Sequence, residues 1–140
     1  MPFIVFTDAY VVINSVNISD HVKGVTLSYT ADLLDSTVMT TSGTKSNTPG
    51  LKDWSLEVDL LNDYAASSID ATLFALIGNS GFPIEVRPTS SAVGVANPKY
   101  TANGVLANYD PMQAKVGDLA TTKITIKPAA STNTLTRATS

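Results

Sequence analysis

Cysteine is absent from this chain, which excludes disulfides, thiolate nucleophiles and Cys-ligated zinc and fits a reducing compartment. Histidine occurs once, as His21, so a catalytic base or an imidazole-rich metal site has almost nothing to be built from. Asp20 and His21 follow an early apolar run, and neighbours along a strand point apart, so the pair reads as a surface turn and not as two thirds of a Ser-His-Asp constellation. Charge is sparse as well, at 15% of residues. The net charge of −3 and the dispersed basic residues leave no footprint for gripping nucleic acid, although a weakly acidic surface lets a polyanion pass without sticking. No apolar run reaches the roughly 20 residues of a membrane-crossing helix, so no membrane partner is expected. The stretch Met1 to Asp8 has no basic n-region and meets an acid early, so it does not read as a secretion signal.

The remaining catalytic options are equally thin. Asp32 with Asp35, and Asp59 with Asp63, lack the dense Asp/Asn/Gly spacing of a calcium loop. Glu57 and Asp59 share a strand face two residues apart, an arrangement that reads as solvated surface before it reads as a glycosidase pair. Gly78-Asn79-Ser80-Gly81 lacks the glycine spacing of a nucleophile elbow, and no phosphate-binding glycine pattern occurs. The chain is therefore read as no enzyme, with no metal and no cofactor.

What is present is apolar material in strand rhythm. Hydrophobic residues make up 44% of 140 residues, enough for one domain with one core. Trp54, Leu56, Val58 and Leu60 alternate with Ser55, Glu57 and Asp59, which describes a strand with one buried and one wet face. Val25, Leu27, Tyr29 and Ala31 alternate with Thr26, Ser28 and Thr30 in the same way, and Ile124 and Ile126 alternate with Lys123, Thr125 and Lys127. Further strands are expected over Tyr10–Asn14, Phe82–Arg87 and Lys99–Tyr109, with Val16–Ile18 pairing back on the first across Asn14-Ser15. One helix is expected over 67–78: Ile69, Leu73, Leu76 and Ile77 recur at helical spacing, Ser67 and Asp70 form a capping-box pattern, and Gly78 follows as the C′ residue. The fold class is all-β, mainly antiparallel: a β-sandwich or half-barrel over residues 1–140 with one flanking α-helix, a long hairpin loop and terminal arms.

The less regular segments are 1–8, 32–50 and 128–140. A link of about 19 residues between two good strands far exceeds the usual two to five of a hairpin. It carries Leu33, Leu34, Val38 and Met39, which either fold back as an extended hairpin or dock on another subunit. The Ala/Ser/Thr-rich tail after Pro128 reads as a mobile arm.

The run Val16-Asn17-Ile18-Ser19-Asp20-His21-Val22-Lys23-Gly24-Val25-Thr26-Leu27-Ser28-Tyr29-Thr30-Ala31-Asp32-Leu33-Leu34-Asp35 resembles the N-terminal part of tail tube (major tail) proteins of long-tailed bacteriophages. The similarity continues through Pro49-Gly50-Leu51-Lys52-Asp53-Trp54-Ser55-Leu56-Glu57-Val58, Asp63-Tyr64-Ala65-Ala66, Phe82-Pro83-Ile84-Glu85-Val86-Arg87-Pro88 and Gly117-Asp118-Leu119-Ala120. The resemblance implies a β-sandwich with a flanking helix that closes into hexameric rings. Such rings stack into a hollow tube around a tape-measure protein, end at a tail terminator, and later pass genomic DNA without binding it specifically. It implies a place in the virion tail after assembly in the host bacterial cytoplasm. Under it, Leu33, Leu34, Val38, Met39 and Lys45 are the candidates for ring stacking. Phe3, Ile4 and Phe6 at one end and Leu135 and Arg137 at the other belong to the arms, and Glu57 and Asp59 are candidates for the bore face. If Lys123 and Lys127 share that face, the bore is mixed in charge. The alternatives are a capsid decoration or tail-completion protein and, from a different class, a carbohydrate-binding β-sandwich. The last fits poorly, because Trp54 falls on a core face.

Overall fold

The computed structural model describes residues 3, 5, 7–39, 43–65 and 68–140. Among the described residues, eight strands form one antiparallel sheet: β1 (Tyr10–Ile13), β2 (Val16–Asn17), β3 (Val22–Asp35), β4 (Asn47–Leu61), β5 (Phe82–Arg87), β6 (Lys99–Tyr109), β7 (Thr121–Pro128) and β8 (Thr136–Ala138). Their order is β2-β1-β5-β6-β7-β4-β3, with β8 added to β6. The sheet is open, and it curls. Val25 and Leu27 of β3 line one slot of about 330 Å³ with Val86 of β5 and Tyr100 of β6, strands that lie four and three places away in the order. The outcome is the half-barrel form of the expected all-β architecture.

Period-two burial creates this curl. Trp54, Leu56, Val58 and Leu60 of β4 are all buried, and they meet Ile124 and Ile126 of β7, Leu106 of β6 and Phe82, Ile84 and Val86 of β5 in one core. The register is fixed by these faces, since a one-residue slip turns every apolar side chain outward. Leu27, Leu56, Ile126 and Leu106 stand at the same level on four adjacent strands. Gly104 has a steric role here: a Cβ at that position would lie 2.5 Å from Ile126 Cγ2 and 2.9 Å from Trp54 Cη2. Only glycine lets β6 pass under the indole.

The concave side is closed by α1 (Ile69–Leu76), which buries Ile69, Leu73 and Leu76. Ile77, grouped with that stripe by spacing, instead leaves the helix in an extended conformation and is half exposed, because Gly78 at φ +85° ends the turn there. Ser67 lies outside the described residues; Ser68 is the N-cap, and its hydroxyl goes to Asp63 instead of the helix. Asp70 accepts the Tyr109 hydroxyl at 2.6 Å, which ties the helix to β6. Burial first, then the Asp70 carboxylate, pushes that phenol up to about 12.

Two segments differ from the sequence expectation. The strands run on into the 32–50 stretch, β3 to Asp35 and β4 from Asn47, so only residues 36–46 form the tip of a long hairpin. The 128–140 tail is not a free arm. Trp54 Nε1 donates to the Asn133 carbonyl at 2.7 Å, Ala129 is buried, and β8 pairs with Lys99–Thr101 of β6. The cause is an open edge: β7 leaves β6 at Pro128, and the backbone groups of β6 beyond Gly104 need partners that β8 supplies.

Candidate assembly surfaces

The hairpin is built by backbone pairing with no core beneath it. Beyond Tyr29 and Trp54 the two strands leave the body, and the last five ladder pairs, from Thr30↔Asp53 to Asp35↔Asn47, carry them outward. Its tip is tied by Ser36 N–H to the Ser46 carbonyl at 2.9 Å and by Ser46 N–H to Thr37 Oγ1 at 2.9 Å. Leu33, Leu34 and Val38 are each more than half exposed and Met39 is wholly exposed. Lys45 is exposed too, and among the described residues it makes no ion pair. The segment is an extended hairpin, but its described apolar residues do not fold back onto their own domain. Leu51, on the same hairpin, was missed by sequence reasoning although it is 81% exposed.

The terminal residues divide. Phe3 is fully exposed, and Ile4 and Phe6 lie outside the described residues. Leu135 is half-buried against the core, so it is a packing residue and no longer an arm contact, whereas Arg137 is exposed on β8.

The outer face of the sheet is wet and mixed in charge. Glu57 is half-buried and Asp59 exposed, and β7 sets Lys123 directly opposite Asp59 in the register. Lys123 Nζ lies 3.5 Å from Glu57, and Lys127 Nζ lies 3.3 Å from Asp53. Both lysines thus share the face of Glu57 and Asp59, and that face is not an acidic strip. Such exposed pairs contribute at most about 1 kcal/mol each, so their consequence is near-neutrality more than stability.

The opposite end of β4 holds two features. Residues 111–119, between β6 and β7, are all exposed, and Met112, Val116 and Leu119 point three large apolar side chains at solvent. Sequence reasoning passed over them because they carry no periodicity. Beside them His21 sits in a 3-10 turn at Ser19–His21, where the sequence reading had Asp20 and His21 pointing apart. The turn brings them together: His21 Nδ1 meets Asp20 Oδ1 at 2.9 Å, and Nε2 meets Asp63 Oδ2 at 3.2 Å.

This cluster has the residue types of a hydrolytic triad and the wrong wiring. The Ser68 hydroxyl donates to Asp63 Oδ2 at 2.7 Å and not to the imidazole, and both ring nitrogens are occupied by carboxylates. The imidazole is thus not hydrogen-bonded to the serine. Partial burial works to lower the His21 pKa, but the hydrogen bonds to Asp20 and Asp63 outweigh it and hold the imidazolium above the ordinary 6.5. Asp63 is held below the ordinary carboxylate value, first by the Ala65 N–H and then by Ser68, with His21 contributing. The His21 contribution to stability is present in full below 6.5 and lost as pH rises through the higher folded pKa; the Asp63 contribution is lost as pH falls below 3.8. Denaturation midpoints are thus expected to decline as pH rises above 6.5, and His21→Asn, which removes the only histidine, is expected to abolish that slope. A His21 proton titration by NMR with a midpoint below 6.5 would contradict the clamp.

A cleft of about 830 Å³ beside β3 is lined by Asp8, Asn17, Ser19, Asp20 and Lys23, but the Ser19 hydroxyl is taken up by the Val11 backbone. No three His, Cys, Asp or Glu side chains among the described residues gather as a metal site, and no described helix is long and apolar enough to cross a membrane.

No family model matches the chain, and no curated protein matches it in sequence. Solved structures do match in shape. A chain from the virion of a native gene transfer agent particle aligns at a TM-score of 0.74 with 11% identity, covering 97% of this chain and 99% of that one. A chain from the tail of an empty gene transfer agent particle, refined with C6 symmetry, aligns at 0.63 with 12% identity over 83% and 81%. A chain from the sheath-tube complex of an extracellular contractile injection system, PVC, aligns at 0.67 with 12% identity over 99% and 93%. The chain thus shares its fold, along nearly its whole length, with chains from a gene transfer agent virion and from a sheath-tube complex.

Proposed function

We propose that this protein is a structural subunit of a tail tube, without enzymatic activity, and that it closes into rings, with six subunits per ring, which stack into a hollow conduit. The observation that carries the reading is the β3–β4 hairpin, which holds Leu33, Leu34, Val38 and Met39 exposed and outside the core that the described residues form. Apolar side chains held out on a long ordered ladder gain nothing for a monomer and are covered by association. The fold shared with tail and sheath-tube chains, one of them in a six-fold tail, supports both the rings and their number.

In the assembled particle the tube surrounds a tape-measure protein, ends at a terminator and passes genomic DNA, so the subunit resides in the virion tail. Glu57 and Asp59 with Lys123 and Lys127 then supply a bore whose charges cancel locally, which denies DNA phosphates a continuous attractive surface. Concentrated pure protein is expected to show rings and stacked tubes in electron micrographs. A strictly monomeric sedimentation profile without such particles overturns the reading, and rings that never stack reassign the chain to tail completion.

A further inference from the structure

We infer that the 110–119 loop is the socket for the hairpin tip of a second copy, so that subunits of successive rings join head to tail; the inference rests on the tube reading above and names the receiving surface. The two surfaces lie at opposite ends of the same strand. Asn47 begins β4 at the tip, while Leu61 ends it beside Thr121, the residue that follows the loop into β7. Fifteen residues of β-strand span roughly 45–50 Å at about 3.3 Å per residue, so one copy's tip cannot reach its own loop. A second copy, translated along the strand direction, can meet it.

The loop is built to receive something. Its side chains from 111 to 119 are all exposed, yet its root is fixed: the Pro111 carbonyl accepts the Asn62 amide at 3.2 Å and also the Tyr64 hydroxyl. Further along, Gly117 at φ +92° and the Asp118 N–H to Lys115 carbonyl bond at 3.0 Å make a turn that turns Val116 fully outward. Apolar groups held out on a pre-set loop lose little freedom when covered. Charge matches as well. The tip has Lys45 as its one cation among residues 36–46, and the socket has Asp110 and Asp118. Lys115 in the socket answers Asp35 at the base of the tip. Met39 and Val38 thus face Met112, Val116 and Leu119 within a complementary polar rim.

One tip and one loop make a small contact, below the area of a stable interface, so it does not join free monomers. A closed ring presents it many times in one geometry, and stacking then follows by avidity. Because tip and socket are different surfaces, the contact does not close on itself and gives a tube with all subunits pointing one way.

The absence of cysteine makes the test clean. Met39→Cys and Val116→Cys, both at exposed positions, are combined in one chain, assembled, and treated with a short bismaleimide. The expected result is a ladder of covalent multimers on a denaturing gel for the double variant, dimers alone when the two single variants are mixed, and monomers for either single variant by itself. Dimers from Met39→Cys alone mean that tip meets tip and overturn the socket. Tubes of the double variant without a ladder also overturn it while leaving the tube reading intact; parent protein that never assembles removes both. As a second measure, Met112→Asp with Val116→Asp is expected to keep the parental melting curve and lower tube yield at least tenfold, and undiminished growth overturns the proposal.

Discussion

Leu56→Asp is expected to leave the chain unfolded under conditions where the parent is native. Leu56 is fully buried, flanked across the sheet by Leu27 and Ile126, and lies in the single core that every strand from β1 to β7 except β2 helps to build. The change removes the burial of a leucine, worth roughly 1.5–3 kcal/mol, and adds an ionised or neutralised carboxyl that no described polar group is placed to receive, at several kcal/mol more. Total stability of a domain this size is about 5–15 kcal/mol, so the loss consumes most of it. One residue along the same strand the outcome reverses. Glu57→Gln breaks only the exposed contact with Lys123 and is expected to shift stability by no more than about 0.5 kcal/mol. Circular dichroism melts of both variants check the pair, and a Leu56→Asp protein with a parental melt would show that the face of β4 carrying Trp54, Val58 and Leu60 is not what holds the domain together.

That contrast also marks how far the sequence could be read. Wherever a strand covers the core, burial enforces alternation, and Trp54 to Leu60, Phe82 to Arg87 and Lys99 to Tyr109 are legible for that reason. Asn14 and Ser15, at φ 51° and 66°, form the tight turn expected between β1 and β2. Alternation fails in Asp32-Leu33-Leu34-Asp35 because this part of β3 has no core on either side. Its strand character comes from ladder bonds to Thr48 and Asn47, which leave no trace in hydropathy. The tail was misread for a related reason: the pairing of β8, the indole hydrogen bond and the backbone bonds of Ala129 and Thr132 to Asn103 all depend on partners far away in the chain. His21 and Asp63 are 42 residues apart, so their contact was likewise invisible. The candidate stacking residues were legible as apolar residues out of place, but the exposed loop at the other end of β4 was not, since three apolar side chains in an aperiodic connection look like ordinary loop composition.

Replacing residues 37–45 by Asn-Gly, which keeps Ser36 opposite Ser46 and so keeps the Asp35↔Asn47 register, is expected to abolish tube growth while leaving the domain folded. The described tip residues Val38, Met39 and Lys45 are exposed, and Ser36 pairs with Ser46, so a two-residue turn of the hairpin-forming type can close the ladder at Ser36 and Ser46. The melting curve should therefore stay within the small range typical of surface changes. Assembly should not. The shortened chain loses Val38, Met39 and Lys45, the apolar and cationic part of a hairpin that runs past the core, and a ring made from it lacks the surface proposed to reach the next ring. Sedimentation and electron microscopy separate the outcomes: isolated rings with no tubes place the tip in stacking, whereas monomers alone place it in ring closure. Tubes growing at the parental rate would show that the hairpin is dispensable, and the exposed leucines at its base, Leu33 and Leu34, would then have to be explained by contacts within the ring.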